Sequence, residues 1–344
     1  MSIKKPSTTV IRKTNTTSTG LSVLNILTRS EILTLFLLIL AFVVGTILSP
    51  YFLDIPFLLN NTSTYIEIGI MGLGLVAVII NGEIDLSVES TLALVACVAG
   101  VLFFDLHFPM PIVLVISLAL GAALGWLNGF LVTRTSLPSL LVTLATLALY
   151  RGAANILVGD DSRPKLAWSR DIVFPSWFLG VEKVHILGTP IPLPLVILIV
   201  LAVIIGIILA KTTFGRWVYA IGTNEQAARY SGIPTARVKR ILFTLSGFLA
   251  GLAGLIMVSR LGVARYDHAR GWALDAITAV VLGGVSIEGG KGGVLGPVLA
   301  FLLIVILRTG MGVANIKAES QLAVIGALLI GAVLTSNFIE RFHK

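Results

Sequence analysis

The chain has 344 residues, 56% of them hydrophobic and only 12% charged, about half the charge density of an ordinary soluble domain. Its apolar residues arrive in long uninterrupted runs, which excludes a soluble core in favour of bilayer-spanning helices. The formal net charge of +8 belongs with cytoplasmic loops on the anionic side of a membrane and not with nucleic acid, and the single cysteine, Cys97, excludes an intrachain disulfide.

Residues 1–30 are rich in Ser, Thr and Asn, carry Lys4, Lys5, Arg12, Lys13 and Arg29, and read as a disordered cytoplasmic tail. The first apolar run follows too long a polar lead to be a secretory signal, so it is expected to be a retained helix. Residues 31–344 then read as one transmembrane domain: an all-α, polytopic membrane protein of about ten helices. The ten candidate spans are 32–49, 63–80, 88–104, 111–132, 138–157, 193–210, 240–259, 273–286, 294–310 and 319–337. Arg151 interrupts the fifth, and the eighth is short enough to be a half-helix. Gly121, Gly125 and Gly129, and again Gly247 and Gly251, have the spacing that lets helix backbones approach closely in lipid, most simply within one subunit.

Loop charge sets the orientation. The 211–240 loop holds Lys211, Arg216, Arg229, Arg237, Lys239 and Arg240 against one acid, Glu225, whereas 159–190 balances four bases with four acids. The first is expected inside and the second outside, with both termini cytoplasmic. Arg260, Arg265 and Arg270, beside Asp267, run against this assignment.

Three polar stretches stand out from the apolar background. In 81–90 (NGEIDLSVES), Glu83, Asp85 and Glu89 fall between two apolar runs. Residues 63–104 number only 42, just enough for two spans of about 20 residues each. A roomy solvated loop fits poorly; a helix break beside Gly82, with Asp85 and Ser87 hydrogen-bonded within the membrane domain, fits better. In 223–234 (TNEQAARYSGIP), Thr223 and Gln226 fit a capping box, and Gly232 with Pro234 fits a stop. A helix is expected near 224–231, about 12 Å long, with Glu225 one turn before Arg229 and Ala227 and Ala228 forming a small-residue surface. It suits either docking into a partner's groove or a plain interfacial connection. In 275–299, Gly283, Gly284 and five further glycines surround Glu288 and Lys291. A phosphate loop is excluded, because Gly292 follows Lys291 where Ser or Thr belongs and Val285 stands where the first Gly belongs. A Gly-acid break between apolar runs thus recurs in both halves, as in transporters with internal repeats. His107, His185, His268 and His343 lack metal-ligand spacing, so no metal site and no cofactor are expected.

Together the three stretches resemble one family, the permease subunits of bacterial monosaccharide ABC importers of the ribose, xylose, arabinose and rhamnose kind. Residues 82–90 are similar to its Gly-Ile-Asp-Leu-Ser-Val-Gly-Ser signature, 221–233 to its ATPase-engaging cytoplasmic loop, and 275–296 to its C-terminal Gly-rich signature. The resemblance runs from about residue 32 to the end. It departs at Glu89, where the family usually has Gly; Asp85 and Glu89 on one helix would repel, so either the chain bends between them or one finds a basic partner.

The resemblance implies a subunit in the cytoplasmic (inner) membrane, without an ATPase site of its own. It implies a cytoplasmic ATP-binding subunit, a second permease subunit and an extracytoplasmic sugar-binding protein as partners, besides membrane lipid. Asn224, Glu225, Ala227, Ala228, Arg229 and Gly232 are then expected to couple to the ATPase. Gly82, Glu83, Asp85, Ser87, Asp275, Gly283 and Gly284 would form the transmembrane motif or line the translocation path. An ion-coupled secondary transporter is the alternative; its coupling-ion site would fall at 83–89.

Overall fold

The computed structural model describes residues 30–48, 52–165, 173–185, 189–317 and, apart from 322 and 329, 320–331. The expected N-terminal tail, Trp168 in the 159–190 loop and the end of the tenth span lie outside the described residues. The described elements are helices: α1 (Ser30–Leu48), α2 (Ile55–Thr64), α3 (Ile66–Ile80), α4 (Val88–Gly100), α5 (Met110–Arg134), α6 (Ser139–Val158), α7 (Leu193–Lys211), α8 (Thr213–Thr223), α9 (Glu225–Tyr230), α10 (Thr235–Leu261), α11 (Trp272–Leu282) and α12 (Leu295–Val313). Two isolated bridges, Arg163–Ala264 and His185–Pro192, are the only extended pairings among the described residues.

The all-α class holds, but among the described residues a count of ten spans is not reached. Six described helices are long and apolar enough to cross a bilayer, and a seventh span results if α2 and α3, bent by 58°, act as one. The break there falls at Tyr65, between the polar run Asn60–Thr64 and the apolar α3. The expected half-helix is α11, and α1 contributes a short apolar stretch, Thr34–Ile47. Arg151 does not break α6, because its guanidinium donates to the carbonyls of Tyr266 (2.6 Å) and His268 (2.7 Å) and so needs no solvent.

Every side chain of α3 is buried, as an all-round apolar helix requires, and α7, α10 and α11 pack around it. The glycine stripes of α5 and α10 meet each other. A Cβ on Gly121 would lie 2.7 Å from the Gly247 carbonyl and one on Gly129 2.8 Å from Arg240 Cα, so these stripes form a seam within one chain.

The three helix ends bordering the polar stretches share one geometry. Glu83 N donates to Val78 O and Gly82 N to Ile79 O; Ile233 and Gly232 repeat the pattern on Ala228 and Arg229, and Val285 and Gly284 on Val280 and Val281. Gly82, Gly232 and Gly284 have φ of 82°, 82° and 89°. These are Schellman caps, in which glycine supplies the left-handed residue that closes the helix. The caps ending α3 and α11 put the same break before α4 and α12, the structural form of the recurrence in the two halves.

Candidate functional site

The three stretches meet at one end of the bundle. Gly290 N donates to Ile80 O at 2.8 Å, Asn81 Nδ2 to Val218 O at 3.3 Å and Tyr219 OH to Gly292 O at 2.8 Å. A Cβ on Gly289 would lie 2.8 Å from the Gly222 carbonyl and 2.9 Å from Gly82 Cα, and one on Gly222 would strike Ile80 O and Gly290 N. The α3–α4 turn, the end of α8 and the 286–292 loop therefore touch backbone to backbone, which only glycine permits.

The 81–87 segment is neither a solvated loop nor a break far from the bundle's ends. It is a tight turn, with Asn81, Asp85 and Ser87 buried and Gly82 exposed, at the end that carries the basic 211–240 loop. Asp85, 1% exposed, sits beneath it. Its Oδ1 accepts from Ser87 N (3.0 Å) and Ser87 Oγ (2.7 Å), and its Oδ2 from Ser246 Oγ on α10 (2.8 Å). Ser87 Oγ in turn accepts from Asn128 Nδ2 on α5 at 2.7 Å, and Asn128 Oδ1 accepts from Tyr150 OH on α6 at 3.1 Å. Ser139 Oγ, at the start of α6, accepts from Ile84 N at 3.0 Å. Satisfied networks of this kind fix a unique arrangement where an unpaired group would be costly. The turn thereby holds α5, α6 and α10 in register.

Glu89 finds its basic partner. Its Oε1 accepts from Arg151 (3.2 Å) and its Oε2 from Ala273 N (3.1 Å) at the start of α11. The carboxylate thus meets both a guanidinium and a helix N-terminus, where negative charge is favoured. Because α4 begins only at Val88, Asp85 lies off the helix and the expected repulsion does not arise.

The helix expected near 224–231 is α9, with corrections in detail. Asn224, not Thr223, is its N-cap: Asn224 Oδ1 accepts from Ala227 N at 2.9 Å, while Thr223 Oγ1 donates back to Tyr219 O and closes α8. Ala227 is exposed and Ala228 buried, so the two do not share a surface. Gln226, Ala227, Arg229 and the 90% exposed Tyr230 form the outer face. Glu225 pairs not with Arg229 but with Lys239 on α10, at 2.7 Å. Lys239 also pairs with Glu83 of the α3–α4 turn, at 2.5 Å. Beside this cluster, between α9, α10 and residues 132–139, opens a cleft of about 700 Å³.

Asp275 and Gly283 lie apart from that cluster. Asp275 pairs with Arg308 of α12 at 2.5 Å, and the same guanidinium lies 5.4 Å over the Tyr65 ring. Gly283 abuts the backbone of Gly296 and Pro297, where a side chain would not fit. Nearer the far end of α10, Arg260 pairs with the fully buried Glu67 at 3.1 Å, and Arg265 with Asp267 at 2.8 Å. The latter pair holds the Asp267 carboxyl below the usual carboxylate range. Two of the three arginines that disturbed the orientation are therefore neutralised by acids.

Sequence reasoning missed Lys239, Asn128, Tyr150, Ser246, Glu67 and Arg308 as partners. A usable signal existed for two of them: Glu67 and Arg308 are lone charges inside apolar runs, and such charges pair.

Buried charge pairs between spans, a hydrogen-bonded polar turn and a capped helix projecting beside a basic cleft define a polytopic membrane transport subunit. Residues 57–333 match the family described as branched-chain amino acid transport system / permease component, and the chain belongs to that family. It is 36% identical over 314 residues to the autoinducer 2 import system permease protein LsrD of Salmonella typhimurium, covering 91% of this chain and 93% of the relative. To the protein of the same name from Escherichia coli it is 37% identical over 298 residues, covering 87% and 89%. No solved structure matches. The chain is a multi-pass permease component of an ABC importer of the inner membrane, a transport subunit and not an enzyme.

Proposed function

We propose that this permease passes autoinducer 2, or another monosaccharide or small polyol, inward through the cytoplasmic membrane. It does so with a second permease subunit, a cytoplasmic ATP-binding subunit and an extracytoplasmic binding protein. The observation that carries the reading is α9: a rigid, doubly capped helix with an exposed face, standing beside a basic cleft and tied to the turn that organises α5, α6 and α10. Such a part has a role when a cytoplasmic ATPase drives the spans between two states; an ion-coupled carrier has no need of it. The family description speaks of branched-chain amino acids, but relatives spanning nine-tenths of the chain are autoinducer 2 importers, which favours the sugar-like solute.

In this arrangement 211–240 and both termini are cytoplasmic and 159–190 faces the binding protein. Gly82, Glu83, Asp85 and Ser87 hold the spans rather than read the solute, and Asp275, Gly283 and Gly284 shape the second break. In proteoliposomes with the ATPase and the binding protein, ATP should drive uptake of autoinducer 2 with no ion gradient. Uptake that needs an ion gradient and ignores ATP would overturn the mechanism, and ATP-driven uptake of leucine alone would overturn the solute class. Cysteines at Asp161 and Ser231, both exposed, should label from opposite sides of sealed cells; Ser162 is buried and unsuited to this.

A further inference from the structure

Lys239 occupies an unusual position. It lies in the second turn of α10, nearly buried, and one ammonium serves two carboxylates from different elements. Glu83 belongs to the α3–α4 turn and is 13% exposed at its side chain; Glu225 belongs to the first turn of α9 and is 49% exposed. The two arms are therefore unequal. The inner one, at 2.5 Å and shielded, is the stronger; the outer one, at 2.7 Å and half in solvent, is screened and exchangeable.

We propose that Lys239 is the positioning residue through which displacement of α9 reaches the membrane domain. The inference rests on the reading of 211–240 as the ATPase-coupling loop. Ala228 anchors α9 through its one buried side chain, and Asn224 spends its oxygen on the helix's own N-terminus. The Glu225–Lys239–Glu83 link ties α9 by charge to the turn between α3 and α4. From Glu83 the chain runs directly to Ile84, bound to Ser139 of α6, and to Asp85, bound to Ser246 of α10 and through Ser87 to Asn128 of α5. A pull on Glu225 is thus delivered to three spans within four residues of sequence. The inner arm stays with the turn, while the outer arm engages or releases as α9 moves with its partner. The backbone contact of Gly222 with Ile80 and Gly290 supplies a fulcrum at the base of α9.

The test separates coupling from docking and from folding. Glu83→Gln/Lys239→Gln removes both inner charges together and leaves no lone buried ion, while the outer face of α9, including Glu225, is untouched. Glu225→Gln releases only the outer arm, at a half-exposed site where folding does not depend on it. In proteoliposomes with the ATPase and the binding protein, the double variant should co-purify with the ATPase at wild-type yield and hydrolyse ATP. Glu225→Gln, which alters the face of α9 itself, is read only as solute per ATP in the complexes that assemble. Solute transported per ATP should fall roughly fivefold or more, the lower range of coupling between distant sites. Lys239→Arg, which keeps the charge and both acceptors, should restore most of the ratio. An unchanged ratio in the double variant overturns the proposal; should that variant fail to fold, an unchanged ratio in Glu225→Gln overturns it equally. Wild-type protein that ignores ATP would instead overturn the importer reading and leave no ratio to compare, so the two failures are distinct.

Discussion

Arg308 and Asp275 face each other as one cation and one anion, both nearly sealed from solvent, whereas Lys239 divides itself between Glu83 and a half-exposed Glu225. Glu67 with Arg260 and Glu89 with Arg151 follow the first pattern, each a close pair between two helices or between a helix and the start of another. Buried pairs have no water to fall back on, so removing one partner leaves a charge with nowhere to go. The shared lysine sits where water reaches the outer acid, and its geometry can change at little cost. Charge placed among the spans therefore fixes the architecture, while charge at the α9 end links separate elements through a contact that water reaches.

The first way to break this contrast is to cut a sealed pair. Arg308→Leu strands Asp275 among α3, α11 and α12 and removes the cation over the Tyr65 ring. The expected cost is about 3–5 kcal/mol, enough to collapse the yield of folded protein in detergent. Asp275→Leu/Arg308→Leu should recover much of that yield, because two apolar groups replace two compensated charges. If Arg308→Leu folds normally but carries a different solute, the pair lines the path and the contrast with Lys239 fails.

Next in size is Asp85, where the turn meets the bundle. Leu in its place leaves the Ser87 N–H without an acceptor, at about 1–3 kcal/mol; the Ser87 and Ser246 hydroxyls can rotate towards other acceptors. Asp85→Asn keeps one oxygen for that N–H and should lower the melting temperature less. Both variants should keep the solute preference of the wild type, as read by competition among single sugars in uptake assays. A stable Asp85→Leu protein with altered preference would make Asp85 a reader of solute rather than a brace.

Much of this arrangement was legible in the sequence, and the illegible part has a common cause. Composition carries the helical membrane class, and glycine marks both breaks, with an acid directly after Gly82 and four residues after Gly284, because a Schellman cap needs a left-handed residue at a fixed place. The cap of α9 was misplaced by one residue because Thr223 and Asn224 are both good N-caps. Which one serves depends on where α8 ends, and the Thr223 hydroxyl's bond to Tyr219 settles that. The pairing of Lys239 with Glu83 was hidden because Lys239 reads as one more base in a basic loop, and its acids lie in two other segments. The short eighth span was legible from its length and is α11, 11 residues long, whereas apolar length alone does not reveal the 58° bend between α2 and α3 at Tyr65.

The smallest effect is expected at Gly232, and it sharpens the contrast from the exposed side. A Cβ there meets nothing within 4 Å, yet φ is +82°, so any cost of substitution comes from the backbone and not from packing. Gly232→Val forces a β-branched residue into the left-handed region, at about 1–2 kcal/mol, and the energy falls on the end of α9 rather than on the spans. Gly232→Asn should cost less, since Asn enters that region far more readily. The whole protein's melting temperature should barely move in either variant, because α9 contributes only Ala228 to the core. Co-purification of the ATPase should weaken in the order Asn then Val, and uptake should fall with it. Wild-type recovery of ATPase with Gly232→Val, together with normal uptake, would show that the end of α9 need not be rigid. The coupling would then run through Glu225 and Lys239 from the first turn of the helix alone.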